Sequence, residues 1–465
     1  MTAVPMFTVE DVVWGTRGAL VGGDLSAPVT AVSVDSRTLG VGEVFFAIRG
    51  HRLDGHRFLP GAVGRGASCC VVSSLPDDLP AGVAVVFVDD TTRALGRFAA
   101  WHRARFDMPV AAVTGSAGKT STKEMMAAVL EALGPVLKPR NSFNNQWGLP
   151  LTLLRLGREH RAAALELGAN MPGEIKALAA IARPTIGAVT MVAPVHTELL
   201  GSIEGVQREK AALVQAVPPE GAVVLNADDP KVLAMRAESR ARVLTVSTSG
   251  PADVRALSVA DETVEGFTLA LDLAGATRTA RLSFAGRHQA INALVAGAVG
   301  LAAGVGPDDI ARGLEAARPV KGRCFWRRAG GVAILDDTYN ASPTSVRAAL
   351  ATFALGPAPR RIVVLGDMLE LGAIAEIAHR EVGADIAASG AAELIGMGTL
   401  AHLAVESARA GGLVESHHAP TVEDAVALLL KRVTAGDAVL VKGSRGMRME
   451  RVVEALMARF GGDDG

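Results

Sequence analysis

The stretch AVTGSAGKTSTKEMM, residues 111–125, constrains the fold more than any other part of the chain. An apolar run, PVAAV at 109–113, precedes its glycines, and a helix-like pattern, TSTKEMMAAVLEAL at 120–133, follows them. A buried strand, a glycine-rich turn and a helix in that order bind phosphate, because the free N–H groups of the first helical turn attract an anion. The loop is shorter than the usual G-x-x-x-x-G-K-[ST] pattern, since Val113 stands where the first glycine would be.

Each residue of this loop has an expected role in binding a nucleotide. Gly115 and Gly118 let the backbone approach the phosphates, and Lys119 is expected to reach the β- and γ-phosphates. The hydroxyl of Thr120 is expected to bind Mg²⁺. The other loop residues that we expect to contribute to the nucleotide site are Thr114, Ser116 and Ala117. The alternative is a glycine-rich turn with a lysine that only faces solvent.

The length of the chain, 465 residues, corresponds to about three domains of ordinary size. With 49% hydrophobic and 20% charged residues, it has enough apolar material for several packed cores. The pattern of strand-like and helix-like segments divides it into an N-terminal block, 1–107, a central block, 108–318, and a C-terminal block, 319–465. Pro109 marks the first boundary, because the residue before a proline is disfavoured in a helix.

Alternation of strand-like and helix-like segments predicts α/β structure in all three blocks. The N-terminal block is predicted to be a small α/β domain, with strands at 29–34, 43–48, 68–73 and 83–88 and a helix at 92–106. The central block is predicted to be a P-loop-type ATPase domain with a parallel sheet, from runs at 109–113, 162–167, 186–192, 222–226 and 242–247. We expect an antiparallel addition near 253–284 and a closing helix at 289–303.

The C-terminal block repeats the same alternation. Its apolar runs are at 332–337, 361–366, 392–398 and 438–443, and a helix is predicted at 344–354. This pattern predicts a second, Rossmann-like doubly wound domain.

Composition and local patterns exclude several classes of protein. A net charge of −1 argues against a basic surface for nucleic acid. The three cysteines form no C-x-x-C pair and no disulfide framework. The N-terminus lacks the basic region of a signal peptide, and the apolar run at 293–305 is too short to span a bilayer. We expect a cytoplasmic protein with no nucleic-acid partner and no stable membrane insertion, and we expect it to act as a monomer.

Three further side chains lie where a metal ion beside the phosphates could find ligands. Glu166 lies at the end of a predicted strand, and a carboxylate there suits Mg²⁺. His196 follows the next predicted strand, and Lys210 lies fourteen positions later on a predicted helix. From the residues alone, each has an ordinary alternative, namely a surface glutamate, a structural histidine and a solvated lysine.

Asp336 and Asp337 end what we predict to be the first strand of the C-terminal block. Adjacent residues on a strand point to opposite faces, so the two cannot form a carboxylate dyad at one site. We predict that one caps the following turn and that the other contacts a ligand. Tyr339, the only tyrosine, is predicted to pack either on a purine or within the turn.

Taken together, these motifs resemble those of the Mur ligases, the ATP-dependent amino-acid ligases of peptidoglycan precursor synthesis. The resemblance rests on the shortened phosphate loop, TGSAGKT (114–120), and on the spacing to Lys210. It also rests on four further motifs, which are LELG (165–168), APVHTE (193–198), GRHQAINALVAG (286–297) and GR (322–323). Gln289 stands where asparagine is common in the family, so His288 carries over less firmly than Asn292.

The resemblance implies a site for ATP and Mg²⁺. The catalytic residues that it implies are Lys119, Glu166, His196, Lys210 and Arg323, and the metal ligands are Thr120, Glu166, His196 and Lys210. The resemblance also implies four further residues of the nucleotide site, which are Asn292, Arg323, Asp337 and Asn340. Some family members carry the lysine as a carbamate, an anionic metal ligand, and we take this as a hypothesis for Lys210.

Other stretches indicate one particular reaction within the family. The stretch at 36–58 is similar to the uridine-nucleotide domain shared by the last two ligases of the pathway. The stretches that resemble the final ligase are at 138–154, 336–343, 366–372 and 442–450, although Ser342 stands where asparagine is usual. The implied substrates are therefore UDP-N-acetylmuramoyl-tripeptide and D-Ala-D-Ala, joined through an acyl phosphate. The implied substrate-binding residues are Ser36, Arg37, Asp54, His56, Asn144, Asn145 and Ser444.

Three alternatives remain open at this point. The preceding ligase of the pathway adds a diamino acid, but its D-N-P-R motif is absent from this chain. Folylpolyglutamate synthetase shares the core but does not need the first 107 residues. A nucleotide-dependent switch without ligation fits the phosphate loop, but it does not explain the N-terminal block or the GDMLELG stretch at 366–372.

Overall fold

The chain folds into three α/β units, each built around its own sheet. The computed structural model describes residues 6–50, 53–75, 78, 82–139, 143–356 and 358–461. Parts of the stretches at 36–58 and 138–154 lie outside the described residues. No helix in these described ranges is both long enough and apolar enough to cross a membrane.

The N-terminal unit has a five-stranded sheet in the order β2-β7-β6-β5-β4 and a two-stranded ribbon, β1-β3. Its strands are β1 (Phe7–Thr8), β2 (Ala19–Gly22), β3 (Pro28–Val29), β4 (Val32–Ser33), β5 (Val44–Phe46), β6 (Cys69–Val72) and β7 (Ala84–Phe87). Its helices are α1 (Val9–Thr16), α2 (Leu59–Gly64) and α3 (Thr91–Arg103). The prediction of one strand at 29–34 was wrong, because the chain there leaves its pairing with β1 and begins another with β5.

The central unit has a nine-stranded sheet in the order β16-β15-β14-β13-β12-β11-β8-β10-β9. Its strands are β8 (Val110–Thr114), β9 (Val136–Leu137), β10 (Ala162–Glu166), β11 (Ile186–Val189), β12 (Ala222–Asn226), β13 (Arg242–Ser247), β14 (Val254–Thr263), β15 (Gly266–Leu273) and β16 (Ala276–Leu282). Its helices are α4 (Lys119–Leu130), α5 (Gly148–Leu153), α6 (Glu174–Ala182), α7 (Thr197–Leu200), α8 (Ile203–Ala216), α9 (Pro230–Ala234), α10 (Gln289–Ala302) and α11 (Pro307–Ala316). The predicted antiparallel addition is confirmed, since β15 pairs antiparallel with both β14 and β16.

The C-terminal unit has a six-stranded sheet in the order β17-β18-β22-β19-β20-β21. Its strands are β17 (Phe325–Ala329), β18 (Val332–Asp337), β19 (Arg361–Gly366), β20 (Glu393–Met397), β21 (Ser416–Ala419) and β22 (Ala438–Lys442). Its helices are α12 (Pro343–Phe353), α13 (Ala375–Ala388), α14 (Ala401–Ala410), α15 (Val422–Arg432) and α16 (Glu450–Phe460). The prediction that 332–337 is the first strand of this unit was wrong. The edge strand β17, with sequence FWRRA, precedes it and lacks the continuous apolar run of a buried strand.

Apolar cores on both faces hold the central sheet in place. One lies between the sheet and helices α4, α10 and α11, and its members include Val113, Leu130 and Leu294. The other face of the sheet shares its core with the N-terminal unit, since one cluster contains both Phe46 and Leu165. The carboxyl ends of the parallel strands remain open, and in α/β sheets ligands bind at that edge.

Candidate active site

The phosphate loop lies between β8 and α4, and two of its residues must be glycine. Gly115 has φ +148°, and a Cβ there would lie 1.9 Å from the Oγ1 atom of Thr190. Gly118 has φ +82°, and a Cβ there would lie 2.5 Å from the Oδ1 atom of Asn292. Since side chains are excluded at both positions, the backbone N–H groups stay accessible to an anion.

The rest of the loop is tied to the segment that follows β11. Ser116 Oγ accepts a hydrogen bond from Ala193 N at 2.8 Å and donates one to Ala193 O at 3.0 Å. Thr190 Oγ1 donates to Ala117 O at 2.6 Å. Thr114 is buried and donates from Oγ1 to a backbone carbonyl of the neighbouring strand segment. These three predicted residues, Thr114, Ser116 and Ala117, therefore shape the loop by tying it to neighbouring segments, and the N–H of Ser116 is itself bonded to Met191 O at 2.8 Å.

Three predicted residues meet at the start of α4. Lys119 Nζ donates to Gly115 O at 2.7 Å, so the ammonium folds back over the loop. Burial lowers the pKa of Lys119, and the nearby carboxylate of Glu166 opposes that shift. Thr120 Oγ1 donates to Glu166 Oε2 at 2.9 Å, and Asn144 Nδ2 donates to Glu166 Oε1 at 2.7 Å. A cation, a hydroxyl and a carboxylate are thus placed together at the amino end of one helix.

A cleft of about 1060 Å³ lies between the central and C-terminal units and contains this group. The predicted site residues that line it are Ser116, Ala117, Gly118, Lys119, Thr120, Asn144, Asn145, Glu166, His196, Asn292, Arg323, Asp337, Asn340 and Ser444. Residues far apart in sequence therefore face one space, as the resemblance implied.

Arg323 connects the C-terminal unit with the phosphate loop. Its Nη2 atom donates to Thr120 Oγ1 at 3.1 Å, and its guanidinium lies 3.7 Å from the ring centroid of Tyr339. The ring of Tyr339 therefore packs beside the turn on an arginine, which is the second of the two predicted arrangements. Stacking on an aromatic ring orients a guanidinium without neutralising its charge.

Asp336 and Asp337 have different partners; the predicted turn cap is present, and contact of the other aspartate with a ligand remains a prediction. Asp336 Oδ1 accepts hydrogen bonds from the backbone N–H and hydroxyl of Thr338 and so caps the turn after β18. Asp337 lines the cleft, accepts from Cys324 N at 3.1 Å and pairs with Lys442 Nζ at 2.5 Å. Lys442 is buried, ends β22 and was missed by the sequence reasoning, although its strand-end position could have indicated it.

Four predicted polar residues use their side chains within the protein. Asn292 Oδ1 accepts from the hydroxyl of Thr122 at 3.1 Å, and its Nδ2 atom donates to another side chain of α10. Asn145 Oδ1 accepts from two backbone N–H groups at the start of α5. Asn340 Oδ1 accepts from the next backbone N–H, and Ser444 Oγ accepts from Leu369 N at 2.8 Å. These contacts hold the cleft walls, and any ligand role of the four remains a prediction.

His196 meets the C-terminal unit across the cleft. Its Nδ1 atom is hydrogen-bonded to the carboxylate of Glu370, and both residues have positive φ, 55° and 63°. The neighbouring Thr197 Oγ1 donates to Leu371 O at 2.9 Å. The hydrogen bond from His196 lowers the pKa of Glu370. Glu370 lies within the GDMLELG stretch at 366–372 but was not singled out as a site residue.

Lys210 lies on α8 and is 1% exposed. Burial and the nearby Lys119 lower its pKa to about 7, while Glu209 and Glu174 oppose the shift. The alternative of a solvated helix lysine is therefore wrong. Lys210 is not among the residues that line the cleft, so its role as a metal ligand remains a prediction.

The four N-terminal candidates lie outside this cleft. Arg37 is 85% exposed and pairs with Asp35 at 2.7 Å, and Ser36 lies between them in sequence. Asp54 Oδ1 is hydrogen-bonded to His56 Nδ1 at 2.6 Å, and a backbone N–H donates to the other ring nitrogen. His56 also borders a separate cavity of about 640 Å³ in the N-terminal unit.

The residues around the phosphate loop fit Mg²⁺ bound together with nucleotide phosphates. The hydroxyl of Thr120 and the carboxylate of Glu166 are hard oxygen ligands, and Mg²⁺ in nucleotide sites needs few protein groups besides phosphates and water. In the described part of the chain, no three His, Cys, Asp or Glu side chains gather closely enough to hold a metal by themselves. The donor set therefore suits a metal that shares its coordination with a substrate.

Family models match three consecutive parts of the chain. The Mur ligase family catalytic domain matches residues 28–103, the Mur ligase middle domain matches 113–300, and the glutamate ligase domain of Mur ligases matches 322–445. The chain therefore belongs to the Mur ligase family, and it is an ATP-dependent ligase that uses Mg²⁺. The predicted three-domain α/β architecture is confirmed, and the alternative of a switch without ligation is wrong.

Two similar proteins from different bacteria have the same name. The chain is 39% identical over 469 residues to the UDP-N-acetylmuramoyl-tripeptide–D-alanyl-D-alanine ligase of Mycobacterium bovis, and the aligned region covers 92% of each protein. It is 36% identical over 465 residues to the ligase of the same name from Escherichia coli, covering 98% of this chain and 99% of the relative.

Solved structures of similar ligases have the same fold. The structure of MurF from Acinetobacter baumannii is 30% identical, with a TM-score of 0.89 and coverage of 98% of this chain and 100% of that one. The structure of MurF ligase from Thermotoga maritima in complex with ADP is 26% identical, with a TM-score of 0.77 and coverage of 93% and 98%.

Proposed function

We propose that the chain joins D-Ala-D-Ala to UDP-N-acetylmuramoyl-tripeptide and converts ATP to ADP and phosphate. The product is the UDP-linked pentapeptide precursor of peptidoglycan. The observation that carries the proposal is the cleft in which the phosphate loop meets Arg323 of the C-terminal unit. It is supported by relatives of that name, which match the chain over nearly its full length.

The chemistry explains why cations from two units meet at the phosphate loop. ATP transfers its γ-phosphoryl group to the C-terminal carboxylate of the tripeptide, the amine of the dipeptide attacks the acyl phosphate, and phosphate leaves as the amide forms. Two anions must first be brought together, so the site needs positive charge more than a protein nucleophile. Lys119 provides that charge from the loop, and Arg323 provides it from the C-terminal unit.

Mg²⁺, when bound, neutralises charge on the phosphates and on the carboxylate that is activated. We propose Thr120, Glu166, His196 and Lys210 as its ligands. The lowered pKa of Lys210, about 7, leaves a large share of its amine neutral at neutral pH, and the neutral amine is the form that reacts with CO₂. A carbamate at Lys210 would be seen as density on Nζ in a nucleotide-bound crystal structure, and a bare ammonium there would contradict it.

The three units divide the substrates. We propose that residues 1–107 hold the uridine end through Ser36, Arg37, Asp54 and His56, and that residues 108–318 hold the ATP phosphates. Residues 319–465 hold the dipeptide and part of the nucleotide. The proposed contacts of adenine and ribose are Asn292, Asp337 and Asn340, and those of the peptide substrates are Asn144, Asn145 and Ser444.

Closure of the cleft protects the acyl phosphate from water. The free and substrate-bound enzyme are expected to differ by rigid-body movement of the units. Small-angle scattering with and without ATP and UDP-tripeptide tests this expectation, and identical profiles would contradict it. The same measurement gives the molecular mass, which tests our proposal of a monomer. We propose that the enzyme acts in the cytoplasm.

The reaction is tested by phosphate release from ATP with purified protein. Release that needs both UDP-N-acetylmuramoyl-tripeptide and D-Ala-D-Ala, with a UDP-pentapeptide as product, is the expected result. Release with a single diamino acid and a UDP-dipeptide would instead assign the preceding ligation. Absence of release with either pairing would refute both assignments.

A further inference from the structure

Two charged side chains at the edge of the cleft keep most of their hydrogen-bonding capacity free. The other carboxylates that line the cleft each accept at least two hydrogen bonds from the protein, and they are Glu166, Glu174, Asp228, Asp229 and Asp337. Glu370 is 45% exposed, and the hydrogen bond described for its carboxylate is the one with His196. Arg445 is 63% exposed and contacts Glu450 at 3.2 Å and, more distantly, the ring of Tyr339.

Glu370 and Arg445 belong to neighbouring loops of the C-terminal sheet. Strands β19 and β22 pair in parallel, Glu370 follows the first of them and Arg445 follows the second. The two loops are joined where Leu369 N donates to Ser444 Oγ at 2.8 Å and Ser444 N donates to Asp367 O at 3.1 Å. A carboxylate and a guanidinium therefore stand on adjacent, hydrogen-bonded loops that both line the cleft.

The opposite charges of Glu370 and Arg445 suit a short zwitterion. A dipeptide carries an ammonium at one end and a carboxylate at the other, and two extended residues span about 7 Å. Charge-assisted hydrogen bonds to both ends are the strongest polar contacts that such a ligand can make.

We propose that Glu370 and Arg445 form the subsite that selects the dipeptide, with Glu370 binding its ammonium and Arg445 its carboxylate. The inference rests on the proposed ligation of D-Ala-D-Ala. The contact of Glu370 with His196 places the ammonium end toward the central unit, where the acyl phosphate forms. The backbone of Glu370 is held at φ 63°, a conformation that non-glycine residues adopt mainly at ligand sites and turns.

The test compares the acid and the amide of the dipeptide as substrates. The wild-type enzyme is assayed with D-Ala-D-Ala and with D-Ala-D-Ala amide, and formation of the UDP-linked product is followed by chromatography. The amide lacks the carboxylate, so its KM with wild-type enzyme is expected to be about ten- to hundredfold higher. In Arg445→Gln the KM of the acid rises to that of the amide. In Glu370→Gln the KM values of the acid and of the amide both rise about tenfold or more, while the ratio between the two KM values stays the same.

Matched controls separate this subsite from general damage to the enzyme. Glu406→Gln and Arg451→Gln remove exposed charges of the same unit outside the cleft, and they should leave every KM unchanged. Thr197→Val removes the hydrogen bond to Leu371 beside Glu370, and it should not raise the KM of the dipeptide selectively. In the two subsite variants, the KM values of ATP and UDP-tripeptide should stay within about twofold of wild type.

Several outcomes would overturn the inference. A preference for the acid that persists in Arg445→Gln would overturn it, because the carboxylate would then bind elsewhere. Loss of that preference in a variant of Arg287, the exposed arginine that lines the cleft from the central unit, would do the same. Equal rises in the KM of all three substrates in Glu370→Gln would show that Glu370 only holds the two units together through His196. Wild-type enzyme that makes no product from D-Ala-D-Ala would refute the proposed function itself.

Discussion

The buried pair between Lys442 and Asp337 offers a sharp test of how the C-terminal unit is held together. Their side chains are 2% and 10% exposed, with Nζ and Oδ2 2.5 Å apart, and the pair joins β22 to β18. Lys442→Met leaves the carboxylate of Asp337 buried, with hydrogen bonds remaining to the backbone N–H and the thiol of Cys324. Removing one partner of a buried pair costs about 3–5 kcal/mol, and the remaining bonds favour the lower end.

The double variant separates the pair from simple loss of packing. In Asp337→Asn/Lys442→Met no charge remains unpaired, so the loss of stability should be about 1 kcal/mol or less. Hydrogen exchange measured by mass spectrometry on peptides covering 332–337 and 438–442 reports the free energy of opening locally. A loss of about 3 kcal/mol corresponds to roughly a hundredfold faster exchange in the single variant. Exchange that is equally fast in the single and double variants would refute the argument, because an unpaired charge would then carry no cost.

Three further predictions concern the phosphate loop and the cleft. Lys119→Met is expected to lower kcat by about a hundredfold or more without changing the unfolding midpoint, because it removes a charge that acts on the phosphoryl group; a change below threefold would contradict that role. Gly118→Ala is expected to destabilise the protein by about 1–2 kcal/mol and to weaken ATP binding in calorimetry, because φ is +82° and the Cβ would displace Asn292; wild-type affinity would contradict the geometry. Burial lowers the pKa of His288 to about 4 from its usual 6.5, so the unfolded state binds the extra proton first and stability falls as the pH drops from about 6.5 to 4. His288→Gln should flatten that dependence in denaturant titrations at several pH values, and an unchanged slope would contradict it.

Part of the site could be predicted because its chemistry is local. The order of strand, glycine loop and helix at 109–133 specifies where backbone N–H groups face an anion, and the structure has that geometry. The strand-end position of Glu166 could likewise be predicted, since apolar runs show where a parallel strand ends. The pairing of Thr120 with Glu166 follows once β8, which leads through the loop into α4, lies beside β10 in one sheet.

Other parts depend on contacts between distant segments and could not be predicted. Nothing near Lys442 in sequence indicates Asp337 as its partner, because the two lie on strands that become neighbours only through the order of the sheet. The same holds for Glu370 and His196, which belong to different units. The edge strand β17 was missed because its two aromatic residues are followed by two arginines, which break the apolar run of a buried strand.

The sequence by itself determined the α/β class, the order of the three units and the phosphate loop. These features follow from patterns within about fifteen residues, where backbone preference and burial act directly. Only the tertiary structure decided which side chains face the cleft, which carboxylates are saturated by protein donors and that Lys210 is buried. Those properties depend on how sheets are ordered and units are packed, and burial and charge pairing between distant residues are set there.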